Sequence, residues 1–208
     1  MADLVLHADS PFDSPWVFTA FVALAEKGVP FELVAIDLDA GHQRRPEYRD
    51  ASLTARVPAI RHGDFWLTES PAIVEYVDEV FDGPPLLPRD SRGRARVRQV
   101  LSWVRSDLSA LREERPTTTM FHERARAPLS DRAKEARDKL FRVAQTLVLQ
   151  DGGRILETWS IADADLAFVL QRLILNGDEV PARLKAYAER EWQRPSVARF
   201  LSLPRAKR

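Results

Sequence analysis

Ser14 is the hydroxyl best placed to act on a ligand, because Pro15 follows it and an apolar run, Trp16 to Ala25, continues from there. Serine is a favoured helix cap and proline fits the first helical position, so the pair reads as a helix entrance. The unpaired amides of such a first turn carry the positive end of the helix dipole. A serine there can close its own helix, or it can donate a hydrogen bond to an anion held at the helix end. The residues alone leave both readings open. Ser70-Pro71 repeats the arrangement with Glu69 directly before it, again either a capped helix with a dipole-friendly acid or a polar ligand site. Val57-Pro58, inside the run Arg56 to Arg61, reads as an edge strand that is either protected by its proline or open to an extended ligand.

Other chemistries lack their residues. The chain of 208 residues has no cysteine, which excludes disulfides, thiolate metal sites and any protein sulfur nucleophile. His7, His42, His62 and His122 show no paired ligand spacing, so no metal is expected. Lys plus Arg equals Asp plus Glu at 31 each, so no global field recruits nucleic acid or an anionic membrane. The local run Arg89, Arg92, Arg94, Arg96 and Arg98 reads as the solvated start of a helix. Trp16 to Ala25 follows acidic rather than basic residues and is too short for a membrane span, so neither a targeting signal nor a span is expected.

These residues need elements to hold them. Leu4-Val5-Leu6 is a short apolar strand ending in the turn-rich Asp9 to Asp13, and a helix from Ser14 to about Lys27 stops at Gly28. Phe31 to Ile36 reads as a second strand, parallel to the first because a helix joins them. After an irregular stretch, Arg56–Arg61 and Phe65–Leu67 read as strands joined by a tight turn at His62 to Asp64, and a helix follows from Ser70. Asp82 to Pro88 holds three prolines in five positions and cannot continue a helix. The domains are therefore 1–82, a linker 83–88, and 89–208. In the last of these, helices are predicted across Val97 to Leu111, closed by Pro116, and at about 130–149, 161–175, 181–191 and 195–202. Ser160 to Asp163 supplies a structural capping box.

A βαβ-ββα domain, a proline-rich linker and an all-helical domain resemble the glutathione S-transferase architecture, a thioredoxin-like half followed by a helical half. The strand Arg56 to Ile60, the pair Glu69-Ser70 and the box Ser160 to Asp163 resemble motifs of that family. The runs Arg105–Leu108, Arg112–Thr117, Gly177–Pro181 and Trp192–Arg194 are similar to its YfcF-like bacterial branch. The resemblance implies an enzyme that takes glutathione as co-substrate, stabilises its thiolate and directs it to an electrophile, a peroxide or a disulfide. A free thiol of this kind ionises near pH 8.5, so the site must favour the thiolate.

The same resemblance assigns that task to Ser14. None of Tyr48, Tyr76 and Tyr187 lies near the end of the first strand, and Ser10, the other hydroxyl there, precedes Pro11 well before the helix. Val57 and a cis Pro58 would meet the cysteinyl backbone, Glu69 the γ-glutamyl amino group, and Ser70 its carboxylate. Arg44 and Arg56 are weaker candidates for the glycyl carboxylate. Trp103, Met120, Phe121 and His122 would wall an electrophile pocket in the helical domain, or else belong to core and loop. A homodimer is implied as well, and the absence of cysteine suits a cytoplasmic location. A non-catalytic binding protein for glutathione or a hydrophobic ligand is the alternative from another class.

Overall fold

In the computed structural model, residues 3–150 and 153–205 are described. Strand β1, Leu4–Asp9, is buried at all six positions because it lies inside a four-stranded sheet of order β2-β1-β3-β4. Helix α1, Pro15–Lys27, follows and is buried from Val17 to Leu24. It stops at Gly28, whose φ of 68° is the left-handed conformation that glycine adopts without strain. The chain returns through β2, Glu32–Ile36, which pairs parallel to β1. Strand β3, Ala59–His62, runs antiparallel to β1 and pairs with β4, Phe65–Thr68. Helix α3, Ser70–Val80, packs beside α1. A buried ion pair ties the two helices, with Lys27 Nζ 3.0 Å from Asp78 Oδ1.

The stretch between β2 and β3, irregular in the sequence reading, contains a 3₁₀ turn at His42–Arg44 and a short helix α2, Pro46–Arg49. Tyr48 anchors it: the ring is buried with Ile36 and Ala59, and the hydroxyl donates to the Arg56 carbonyl at 2.7 Å.

Two compact units are present, one running to Leu86 and including the segment from Ser196 on, the other Leu87–Pro195. The second consists of α4, Ser91–Ser106; α5, Ser109–Glu114; α6, Thr118–Phe121; α7, Asp131–Leu147; α8, Ile161–Asn176; and α9, Ala182–Trp192. The single helical segment predicted up to Pro116 breaks at Asp107 and Leu108. Asp107 turns its carboxylate to Trp103 Nε1 and to Lys139, and Arg112 donates to the carbonyls of Val104 and Arg105 that the break leaves open. Helix α8 is buried from Ile161 to Leu173 and starts with the Ser160–Asp163 capping box. Helix α10, Pro195–Leu201, groups from Ser196 on with the first unit, where Phe200 packs edge-on against Phe18 and Phe21 of α1.

Candidate functional site

Strand register brings Ser14, Val57, Pro58, Glu69 and Ser70 to one end of the sheet. His7 pairs with Ala59, and Ala59 pairs with Thr68. The carboxyl end of β1, the start of β3 and the end of β4 therefore coincide. Ser14 leaves from the first, Val57 and Pro58 enter at the second, and Glu69 and Ser70 leave from the third. The end of β2 is there too, since Asp9 pairs with Ile36.

Ser14 caps α1. Its Oγ accepts the Val17 amide at 3.4 Å while its backbone is extended. This bond uses the hydroxyl as an acceptor, so the hydroxyl proton is free to be donated. Capping the helix and stabilising an anion are thus compatible roles for this one side chain. The loop that presents it is folded by Asp9, a residue the sequence reading passed over as turn composition. Asp9 is buried, and its Oδ2 accepts the amides of Asp13 at 2.7 Å and Ser14 at 3.1 Å. Burial raises its pKa against the effect of those two amides. The only sequence signal for this role was an acid at a strand end before a Ser-Pro helix start.

The peptide before Pro58 is cis, and Pro58 is buried while Val57 is partly so. Glu69 has φ +69°, a conformation unfavourable for a residue with a Cβ and one that concentrates at functional sites. It caps α3 without a side-chain bond to the helix, and its side chain is exposed. Ser70 is buried at the first turn of that helix. Arg44 ends the 3₁₀ turn and Arg56 precedes Val57, both with exposed side chains.

In the second unit, Trp103 faces α7. It lines a groove of about 280 Å³ with Val100, Lys139, Val143 and Leu147 among others, and its indole donates to Asp107 at 2.8 Å. Met120 and Phe121 belong to α6 and His122 closes it, with the Phe121 ring against Phe168 of α8. Trp103 thus turns to α7 and Phe121 to α8. Among the described residues, no group of His, Asp and Glu is assembled that could hold a metal ion, and no helix is long and apolar enough to cross a membrane.

A small mixed sheet with two helices and a cis-proline at a strand entrance, followed by a helical unit, is a thioredoxin-like domain with an all-helical companion. Comparison with known proteins narrows that class. Residues 13–80 match the family model described as glutathione S-transferase, N-terminal domain, and residues 90–207 match glutathione S-transferase, C-terminal domain. A glutathione transferase homologue from Burkholderia, solved with bound glutathione, is 37% identical, with 95% of each chain covered and a TM-score of 0.76. Maleylpyruvate isomerase of a Ralstonia species is 35% identical over 94 residues, which is 45% of this chain and 44% of that protein. Glutathione S-transferase 1 of Dianthus caryophyllus is 38% identical over 90 residues, 43% of this chain and 41% of that protein. The chain thus spans less than half the length of these two curated relatives. It belongs to the glutathione S-transferase family.

Proposed function

We propose that the chain is a glutathione-dependent transferase or isomerase in which residues 1–82 bind glutathione and Ser14 donates a hydrogen bond to its thiolate. The observation that carries this reading is the unspent Ser14 hydroxyl proton at the amino end of α1. That proton and the dipole of α1 both favour the anionic sulfur. Val57 offers its backbone to the cysteinyl amide in the manner of an added strand. Glu69 meets the γ-glutamyl amino group, Ser70 its carboxylate, and Arg44 and Arg56 the glycyl end. The bound Burkholderia homologue supports the ligand, and the Ralstonia isomerase supports a carbon electrophile. Conjugation and isomerisation begin alike, with the thiolate adding to an electron-poor carbon; isomerisation then requires that the sulfur leave again. With no cysteine in the chain, reduction of a peroxide or disulfide would use glutathione itself as the sulfur reagent.

The helical second unit supplies the electrophile pocket in this proposal, with Met120, Phe121 and His122 as its candidate walls; Trp103, expected beside them, turns to α7 instead. A homodimer, a cytoplasmic location and a place in the YfcF-like branch complete it. The test is Ser14→Ala, with glutathione affinity and the rate of transfer to an aryl halide measured side by side. Affinity within a few fold of wild type and a rate reduced by about tenfold or more are expected, the range for loss of one charge-directed donor. Equal rates would remove Ser14 from the mechanism. Normal binding without turnover on any electrophile would favour the binding-protein alternative.

A further inference from the structure

The four residues between β1 and the Ser14 helix cap, together with Asp9 at the strand end, form a strained, acid-rich loop. Phe12 is buried at φ +53°, and Asp9 and Asp13 are each 4% exposed. Backbone of this kind persists only where its surroundings hold it. One side of the loop is fixed by Asp9, which accepts the amides of Asp13 and Ser14.

The other side meets the far end of the chain. Arg205 Nη2 donates to the carbonyl of Phe12 at 3.2 Å, and its Nε lies 3.7 Å from Asp13 Oδ1. The same guanidinium closes the carboxyl end of α10: Nη1 donates to the Leu201 carbonyl at 2.9 Å, and the group lies over the Phe200 ring at 5.3 Å. A cation there also suits the negative end of the helix dipole. Helix α10 is anchored along α1 at two further points, by Phe200 against Phe18 and Phe21 and by Ser196 Oγ donating to Glu26. The arginine side chain is 12% exposed and that of Asp13 6%. Burial lowers the pKa of Arg205, and the charges of Asp13 and Asp9 oppose that effect. A fork of donors is needed to reach a loop carbonyl, a carboxylate and a helix end together, which a lysine ammonium cannot do in the same way.

We propose that Arg205 is a positioning residue for the proposed glutathione site: it clamps the Phe12–Asp13 backbone from α10 and so fixes where the Ser14 hydroxyl points. The inference rests on the reading of Ser14 given above. Without the clamp, Phe12 relaxes from positive φ and the start of α1 loses its fixed approach to the sulfur. Misplacement on the ångström scale is enough to lower a rate many-fold.

The experiment follows the ionisation of glutathione bound to the full chain, read by thiolate ultraviolet absorbance against pH, so that no electrophile need be known. Variants are Arg205→Gln, Arg205→Lys and Ser14→Ala, with calorimetry for glutathione affinity and circular dichroism for folding. Arg205→Gln is expected to move the ionisation midpoint up by about one pH unit, toward Ser14→Ala, with affinity changed by less than roughly threefold and with Arg205→Lys between it and wild type. A folded Arg205→Gln protein with the wild-type midpoint, beside a shifted Ser14→Ala midpoint, overturns the clamp and leaves the Ser14 reading standing. An unshifted Ser14→Ala midpoint, or no glutathione binding by the wild type, overturns both. Should Arg205→Gln fail to fold, the Arg205→Lys midpoint decides alone: an upward shift supports the clamp, and the wild-type value overturns it.

Discussion

His7 makes the stability of the sheet domain depend on pH, and the direction follows from its surroundings. The ring is 9% exposed, stacks on Trp66 at 4.7 Å and meets the edge of Tyr48 at 5.5 Å. Neither ring nitrogen has a hydrogen-bond partner among the described residues. Desolvation first, and the charge of Arg61 second, lower its pKa from 6.5 to about 4. Between those values the unfolded chain holds a proton that the folded chain refuses, so stability rises with pH across the window and is lost as pH falls from about 6.5 toward 4. The full gap corresponds to about 3 kcal/mol. Asp9, Asp163 and Glu191, whose pKa values burial raises, act with the opposite sign, so the wild-type slope alone understates the histidine. His7→Phe keeps the stacking and removes the titration. Urea unfolding at several pH values should show the variant losing about 2–3 kcal/mol less than wild type over this window. Parallel stability curves, or a His7 ring that titrates near 6.5 by NMR in the folded protein, would refute the reasoning.

Two further perturbations test the packing that carries the site. Lys27→Met leaves Asp78 buried without its cation and should lower stability by about 3 kcal/mol or more, part of which Asp78→Asn restores, as judged by denaturant midpoints. Asp163→Asn keeps the shape of a carboxylate that accepts the amides of Ile155 and Ser160 and the hydroxyl of Tyr187, but places an amide donor against one of these donors. A loss of about 2–3 kcal/mol in thermal or urea unfolding is expected, and a neutral variant would mean that the box is dispensable.

Punctuation made the order of elements legible. Ser-Pro pairs opened α1 and α3, Gly28 closed α1, and the prolines of 84–88 separated strand-bearing from helical sequence. The turns between β2 and β3 were not legible, because α2 is four residues long and is held by the buried Tyr48 ring rather than by its own periodicity. The break at Asp107 escaped for a similar reason. Val104, Leu108 and Leu111 keep helical spacing across it and all are buried, so apolar pattern cannot report a change that Asp107 and Arg112 make with their polar ends.

The same distinction governs the site. Residue type and the proline after it are enough to place Ser14 at a helix start, and there the sequence offers two competing uses of one hydroxyl. Geometry dissolves the competition, since the oxygen accepts from Val17 while the proton stays available. Under the proposed reading, what aims that proton is not local. Asp9 reaches the amides of Asp13 and Ser14 from the strand, and Arg205 reaches the same loop from 193 residues away in sequence. A guanidinium acting on a backbone carbonyl from that distance leaves no spacing in the sequence to mark it. The proposed site chemistry is read from short motifs, whereas the contacts that would hold its geometry are long-range and appear only in the folded chain.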